Sequence, residues 1–320
     1  MALSEFAFIA ERLRPLAAGT PGALGLADDA ALLDPPAGAE LVLTKDAMVA
    51  GVHFLPDDPP GDVAKKLLRV NLSDLAAMGA APLGYLLALI RPKATAEDWL
   101  ADFCRGLAED QATFGIGLLG GDTVSTPGPL ALSLTALGHV PRGTALRRCG
   151  ARPGDDVWVS GTLGDAALGL KVLQGELAVA DEVRAPLVER YRLPQPRLAL
   201  GEALRGLASA ALDVSDGLLA DLGHILETSG VGAEVRTAAL PLSAAAQGLP
   251  GAREAALAGG DDYELLFTAA PARRARIGAL ARELALPITR IGAIEAKPGL
   301  RVLDAAGRLI PIERAGWQHF

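Results

Sequence analysis

The chain has 320 residues, half of them hydrophobic, which is the composition of a folded protein with a large core and excludes a mainly disordered one. Its 30 Lys and Arg against 38 Asp and Glu give a net charge of −8, so it offers no basic surface for nucleic acid. No apolar run approaches the roughly 18 residues of a membrane-spanning helix. Only two cysteines occur, Cys104 and Cys149. We therefore expect a two-domain protein of the reducing cytoplasm that binds neither nucleic acid nor membrane.

The first half of the chain alternates predicted helices and strands. A helix that begins at Ser4 and ends before Pro15 is followed by strands at residues 41–44, 83–90, 116–119 and 130–140, with helices at residues 62–80 and 95–112. The pattern Thr95-x-x-Asp98 predicts a capping box at the start of the last helix. A stretch rich in Gly, Arg and Pro at residues 141–154 then predicts a domain boundary, which gives domains 1–150 and 151–320.

The second half repeats a strand, a glycine-containing turn and a helix. A strand at residues 156–160 precedes a helix from Asp165, and a strand at residues 210–214 precedes a turn at 215–217 and a helix that stops at Gly230. A Gly-Gly-Asp-Asp turn at residues 259–262 precedes a strand at residues 263–268. Helices mixed with strands in both halves predict two α/β (α+β) domains, each with a sheet packed against helices.

Aspartates are concentrated at predicted turns and strand ends, next to glycines and apolar runs. One further aspartate, Asp74, lies inside a predicted helix on a face shared with Leu67, Asn71 and Met78. Taken singly, each aspartate has an ordinary explanation as a helix cap, a turn residue or an ion-pair partner. The turns carry almost no Lys or Arg, so converging carboxylates would repel one another unless a divalent cation lay between them. The aspartates concerned are Asp28, Asp29, Asp46, Asp122, Asp213, Asp216, Asp261 and Asp262.

A magnesium site is the favoured interpretation of this pattern, because sulfur ligands and paired histidines are missing. Magnesium held by carboxylates is commonly completed by substrate phosphates, which indicates phosphoryl transfer from a nucleotide. The sequence contains neither a P-loop nor protein-kinase tripeptides. Gly115-x-Gly117-x-x-Gly120 matches the letters of a dinucleotide fingerprint, but it follows a predicted helix, so we reject it.

Other candidate ligand contacts also have structural interpretations. Arg147-Arg148 could contact phosphate, although exposed arginine pairs are usually only solvated. His53 follows Asp46 in a predicted loop, where a single histidine is more often structural. Trp317 could stack on a substrate ring or simply seal the core.

Taken in order, seven stretches resemble the thiamine-monophosphate kinase family, and the resemblance covers essentially the whole chain. It implies the two-domain fold of aminoimidazole ribonucleotide synthetase, ATP-dependent phosphorylation of thiamine monophosphate to thiamine diphosphate with several Mg²⁺ ions, and a homodimer with nucleotide bound near the subunit interface. The stretches are residues 26–31 (LADDAA), 44–46 (TKD) with 51–54 (GVHF), 70–80 (VNLSDLAAMGA), 119–123 (LGGDT), 212–218 (LDVSDGL), 259–265 (GGDDYEL) and 316–320 (GWQHF).

The resemblance also implies roles for individual residues. It implies that the metal ligands are Asp29, Thr44, Asp46, Asp74, Asp122, Asp213 and Asp216. It implies ATP contacts from Gly121, Asp122, Arg148 and Ser215, and contacts to thiamine monophosphate from His53, Asp262 and Trp317. The family commonly has Gly in place of Ala27 and Thr in place of Lys45, so an oxygen ligand from position 45 is in doubt.

The acceptor in this reaction is an anionic phosphate oxygen, so we nominate no catalytic base. Three enzymes of the same fold are alternatives: aminoimidazole ribonucleotide synthetase, selenophosphate synthetase and the hydrogenase-maturation dehydratase. The last two are disfavoured, because the cysteine or selenocysteine that each needs near a terminus is missing here. A non-catalytic metal-binding or nucleotide-binding protein is the alternative from another class.

Overall fold

A computed structural model describes residues 5–311 and residue 316 of the chain. Its internal contacts divide these residues into two compact units. The first unit contains the residues up to Leu75 together with Ala80–Gly143, and the second contains Ala76–Gly79 together with the residues from Thr144 onward. Within the described residues, no helix combines the length and the apolar character needed to cross a bilayer.

The first unit is built on a four-stranded sheet with strand order β1-β4-β2-β3. β4 pairs antiparallel with both β1 and β2, while β2 and β3 are parallel, so β1 and β3 form the two edges of the sheet. The strands are β1 (Ala39–Val49), β2 (Ala81–Pro92), β3 (Gly117–Thr126) and β4 (Ala131–Pro141), and the helices are α1 (Glu5–Phe8), α2 (Pro60–Ala77) and α3 (Glu97–Phe114). A π-helical turn at Ile9–Leu13 and 3-10 turns at Arg14–Ala17 and Pro21–Leu26 follow α1.

Helices α2 and α3 cover one face of this sheet. Thr44 of β1 bonds to Asp74 of α2, and Gln111 of α3 donates to the Tyr85 hydroxyl of β2 at 2.9 Å. The apolar stripe predicted for α2 is buried throughout, and it comprises Ala64, Leu68, Leu72, Leu75 and Ala76. Burial of the residues of this stripe up to Leu75 against alternate strand residues forms the core of the first unit, whereas Ala76 belongs to the second unit.

The opposite face of the sheet, which we call the open face, carries large exposed apolar side chains. Leu41 and Leu43 of β1, Leu86 of β2 and Val124 of β3 are all exposed, and Leu43 is 63% exposed. Leu86 and Lys45 both pair with Thr135 of β4, so they lie on the same side of the sheet, and Leu41 and Leu43 share that side because alternate residues of β1 face the same way. Val124 pairs with Ile90 of β2, which faces the same way as Leu86. An apolar sheet face of this kind marks an interaction surface.

The second unit contains a seven-stranded mixed sheet with strand order β11-β10-β7-β9-β5-β8-β6. Val159, Leu212, Leu222 and Leu266 belong to its main buried cluster, which joins the sheet to helix α7. The strands are β5 (Asp156–Ser160), β6 (Ala210–Asp213), β7 (Gly232–Arg236), β8 (Leu265–Ala269), β9 (Ile288–Glu295), β10 (Gly299–Leu303) and β11 (Leu309–Ile310). The helices are α4 (Asp165–Leu173), α5 (Asp181–Arg192), α6 (Leu198–Leu204), α7 (Leu218–Ser229), α8 (Ala252–Ala258) and α9 (Arg274–Glu283), with 3-10 turns at Thr237–Ala239 and Pro271–Arg273. The prediction of a mixed α/β fold is confirmed.

Several predicted element ends are wrong. Asp46 and Asp122 were expected at strand ends, but they lie inside β1 and β3, because backbone pairing with the neighbouring strand continues past both. The expected capping box is not formed: α3 has Ala96 as its N-cap, and the Thr95 hydroxyl donates to the Pro92 carbonyl at 2.8 Å. Ser4, the expected start of the first helix, lies outside the described residues.

Candidate active site

Four polar residues meet where the edge strand β1 lies against helix α2. Alternation along β1 puts Thr44 and Asp46 on the helix-covered face. The Thr44 hydroxyl donates to the Asp74 carboxylate in a short hydrogen bond. The Asp46 main-chain N–H donates to the Asn71 side-chain oxygen at 3.2 Å, and the Asn71 amide donates to the Leu67 carbonyl at 2.9 Å. This arrangement, which we call the β1–α2 corner, brings three predicted metal ligands together: Thr44, Asp46 and Asp74.

The electrostatics of the β1–α2 corner favour a bound cation. Burial, and to a smaller extent the neighbouring Asp74 carboxylate, raise the pKa of Asp46 to about 7. Two half-buried carboxylates that resist ionising together are stabilised as anions when a divalent ion lies beside them. Lys45 does not supply that charge here, since it lies on the opposite side of β1 and its amine reaches the Thr135 hydroxyl at 3.4 Å.

Asp122 and Gly121 lie at the other edge of the same sheet, on β3. Two strands separate β3 from β1, so about 14 Å lies between them at the usual strand spacing. Asp122 pairs with Ala88, which puts its exposed side chain on the open face, whereas Asp46 is on the covered face. A side chain at position 121 would clash with the Leu87 carbonyl, so glycine is needed for the close approach of β3 to β2. A single copy of this unit therefore does not bring Asp122 to the β1–α2 corner.

Two other predicted residues of the first unit lie in loops. Asp29 is exposed in a bend at residues 28–30. His53 is half-buried, and its Nδ1 accepts the Val49 main-chain N–H at 3.1 Å, so the neutral ring carries its proton on Nε2. The buried Lys66 of α2 donates to the His53 carbonyl at 3.2 Å, which ties this loop to the helix.

In the second unit, Asp213, Ser215 and Asp216 lie at the junction of β6 and α7. Asp213 is the buried last residue of β6, and Ser215 and Asp216 are half-buried in the turn that follows. Asp221, in the first turn of α7, accepts the main-chain N–H groups of residues 215, 216 and 217 on one carboxylate oxygen. The pKa of Asp221 is raised to about 6, chiefly by burial and less by nearby Asp216, although the three backbone hydrogen bonds lower it.

Asp262 is almost fully buried, and both of its carboxylate oxygens accept the Gly164 N–H, at 3.0 and 2.8 Å. Burial raises the pKa of Asp262 well above its ordinary value, against the lowering effects of the Gly164 bond and of Arg190. Its neighbours Asp261 and Tyr263 have φ angles of 68° and 50°, the left-handed region that such residues rarely adopt. The Asp262 carboxylate thus holds a strained turn in place, and its predicted contact to substrate stays a prediction.

Arg148 is exposed beside the helix α7, where its carbonyl accepts the Thr228 hydroxyl at 3.2 Å. Trp317, the predicted stacking residue, lies outside the described residues. Among residues 5–311 and 316, no three His, Cys, Asp or Glu side chains cluster closely enough to hold a metal ion.

Asn71 and Asp221 were not among the residues selected from the sequence. A polar side chain in the buried face of a helix, and an acid one turn after Ser-Asp-Gly, are the signals that could have identified them.

The two halves of the chain each match a domain of one protein family. Residues 27–140 match the AIR synthase related protein N-terminal domain, and residues 152–305 match the corresponding C-terminal domain. The chain is therefore an AIR synthase related protein. A thiamine-monophosphate kinase of Caulobacter vibrioides is 46% identical over 324 residues, covering 99% of this chain and 91% of that protein.

Two solved structures refine this assignment. The crystal structure of thiamine-monophosphate kinase from Stenotrophomonas maltophilia superposes with a TM-score of 0.86 at 48% identity, covering 94% of this chain and 97% of that one. AaThiL complexed with AMPPCP and TMP superposes with a TM-score of 0.79 at 32% identity, covering 100% and 99%. The chain belongs to the thiamine-monophosphate kinase family.

Proposed function

We infer that this chain catalyses ATP-dependent phosphorylation of thiamine monophosphate to thiamine diphosphate. Full-length similarity to thiamine-monophosphate kinases, including AaThiL in complex with AMPPCP and TMP, carries this inference. In the reaction, an oxygen of the thiamine phosphate attacks the γ-phosphorus of ATP, and the bond to the bridging oxygen of ADP breaks. The attacking oxygen is already anionic, so the chain needs to position two phosphates and does not need a strong base.

Magnesium fits the donors of the β1–α2 corner. Thr44, Asp46 and Asp74 offer hard oxygen ligands, and one or two carboxylates are what Mg²⁺ usually takes from a protein when phosphates and water complete its shell. When bound, the ion would reduce repulsion between the phosphates and withdraw charge from the transferring group. Asp29, Asp213 and Asp216 are also assigned to magnesium in this proposal.

The remaining assignments concern the two substrates. Gly121, Asp122, Arg148 and Ser215 are assigned to ATP, and His53, Asp262 and Trp317 to thiamine monophosphate. Nδ1 of His53 accepts the Val49 N–H, so a hydrogen bond from the neutral ring to substrate would run from Nε2. That ring can donate one hydrogen bond to a substrate phosphate while the main chain fixes its orientation.

We propose that the protein is a homodimer joined through the open face. Exposed Leu41, Leu43, Leu86 and Val124 support this, since association would remove them from water. A dimer also offers a way for Asp122 to serve a magnesium site together with Asp46. Because the two residues lie on opposite edges and opposite faces of one sheet, such a site would lie at the rim of the interface, with Asp46 from edge strand β1 of one protomer and Asp122 from edge strand β3 of the other.

The cytoplasm is part of the same proposal, since both cysteines are free and a reducing compartment would keep them so. The function is tested by following ADP release from Mg²⁺ and ATP with and without thiamine monophosphate. Thiamine diphosphate formed in equal amount to ADP is the expected result. ADP release that does not require thiamine monophosphate, or free thiamine acting equally well as acceptor, would refute the proposal. Nucleotide binding without turnover would instead identify a binding protein.

A further inference from the structure

The main chain of the turn between β6 and α7 is hydrogen-bonded to one buried carboxylate, that of Asp221. A single oxygen of Asp221 accepts the N–H groups of Ser215, Asp216 and Gly217 at 3.1, 3.1 and 3.0 Å. Asp221 is only 4% exposed, and these hydrogen bonds all run to the main chain. Three consecutive N–H groups at a helix N-terminus normally attract an external anion such as phosphate. Here the protein's own carboxylate fills that place.

The same turn is tied on its other side to the Gly-Gly-Asp-Asp loop. Asp261 donates its main-chain N–H to the Ser215 carbonyl at 2.9 Å, and the Tyr263 N–H donates to the Val214 carbonyl at 2.8 Å. A side chain at Gly217 would meet the backbone of Ala258. The turn therefore has neighbours on both sides, and its conformation depends on Asp221 for the three N–H groups that the loop does not use.

We propose that Asp221 is a positioning residue for nucleotide and magnesium: it fixes the main chain at 215–217 and thereby the directions of the Ser215 and Asp216 side chains. This rests on the proposed function, in which those two residues contact ATP and magnesium. The acid is better suited than an amide, because a carboxylate only accepts hydrogen bonds and its charge is stabilised by the helix N-terminus. Asp221 itself is not expected to touch either substrate.

The test compares Asp221→Ala, which removes all three bonds, with Asp221→Asn, which keeps one neutral acceptor oxygen. Asp155→Ala is the matched control, since Asp155 is a buried carboxylate of the same unit whose Oδ2 accepts the Arg152 N–H at 3.0 Å and the Ser209 hydroxyl at 2.6 Å. All variants are assayed well below their melting temperatures after circular dichroism has verified folding. Amide hydrogen exchange is measured for peptides covering residues 214–218.

For Asp221→Ala we expect faster exchange in residues 214–218 and a fall of about 10- to 100-fold in kcat/KM for ATP, the usual cost of losing a residue that orients metal or substrate ligands. The loss for thiamine monophosphate should be smaller, and Asp221→Asn should lie between wild type and Asp221→Ala. Asp155→Ala should lose stability while keeping wild-type kinetics.

If Asp221→Ala exchanges like wild type in residues 214–218, or if its ATP kinetics match those of Asp155→Ala, the inference is refuted while the kinase function stands. If Asp221→Ala does not fold, the same two measurements on Asp221→Asn decide the question. A wild-type protein without kinase activity would refute the proposed function, and the kinetic part of this inference with it.

Discussion

If one magnesium site takes Asp46 from one protomer and Asp122 from its partner, two inactive variants should restore each other's activity. Asp46→Asn and Asp122→Asn each remove one carboxylate from every site of their homodimers. In a heterodimer of the two variants, one site carries both substitutions and the other carries neither. Asp46 and Asp122 of one protomer are not expected to share an ion, because the edge strands β1 and β3 are about 14 Å apart, whereas oxygens that share a Mg²⁺ ion each lie about 2 Å from it.

The expected recovery follows from the symmetry of a two-fold dimer. After free exchange of equal amounts, half of the dimers are heterodimers and half of their sites are intact, which gives about a quarter of wild-type activity per protomer. Heterodimers purified through two different affinity tags should reach about half. The assay is thiamine monophosphate-dependent ADP release, with each variant alone as the baseline.

The matched control is the mixture of Asp46→Asn and Asp74→Asn. These residues meet in the β1–α2 corner of one protomer, so both sites of that heterodimer remain damaged and no recovery is expected. Recovery in this control, or no recovery from Asp46→Asn with Asp122→Asn although heterodimers form, would contradict the shared-site proposal. Near wild-type activity of Asp122→Asn alone would remove Asp122 from the site altogether.

Three further predictions test single features. Asp74→Asn should lower turnover by orders of magnitude while its circular dichroism spectrum stays unchanged. In wild type, Mg²⁺ with an ATP analogue at a hundred times the Kd should add roughly 2.7 kcal/mol to the free energy of unfolding, and in Asp74→Asn this gain should be lost. A thermal shift equal to that of wild type would exclude Asp74 as a ligand. Leu43→Asp should weaken dimerisation seen by sedimentation, because full burial of a leucine contributes about 1.5–3 kcal/mol, while Leu309→Asp, at a similarly exposed leucine of the second unit, should not. Asp262→Asn should make the free energy of unfolding less dependent on pH. Because the pKa of Asp262 is raised in the folded state, the folded protein keeps a proton on this residue that the unfolded chain releases near pH 3.8. The stability of wild type therefore falls as the pH rises above that value, and the variant lacks this contribution. Equal slopes of unfolding free energy against pH in urea titrations of the two proteins would show that Asp262 is not protonated in this way.

The sequence predicts most of the fold because the periodicity of its apolar residues agrees with the pattern of burial in the structure. Helix α2 lies where the apolar stripe of the sequence predicts it, and that stripe is buried. Gly230 ends α7, as predicted, in the left-handed conformation that glycine favours. The predicted strands at residues 41–44 and 116–119 are too short, because they stop at Lys45-Asp46 and at Gly120-Gly121-Asp122. On the edge strands β1 and β3, backbone pairing continues past Asp46 and Asp122, since an edge strand tolerates a charged side chain that a central strand would exclude.

The site could be predicted only in part, and the reason is chemical. A sequence shows where carboxylates are, so the neighbouring pair Asp46 and Asp74 could be selected. It does not show which polar side chains bond to the main chain, and that is what Asn71 and Asp221 do. Each bonds to the main-chain N–H of a predicted metal ligand, Asn71 to that of Asp46 and Asp221 to that of Asp216. A residue in such a position sets the direction of its neighbour's carboxylate while keeping its own polar atoms away from the ligand, so its importance can be found only by following the hydrogen bonds of the backbone.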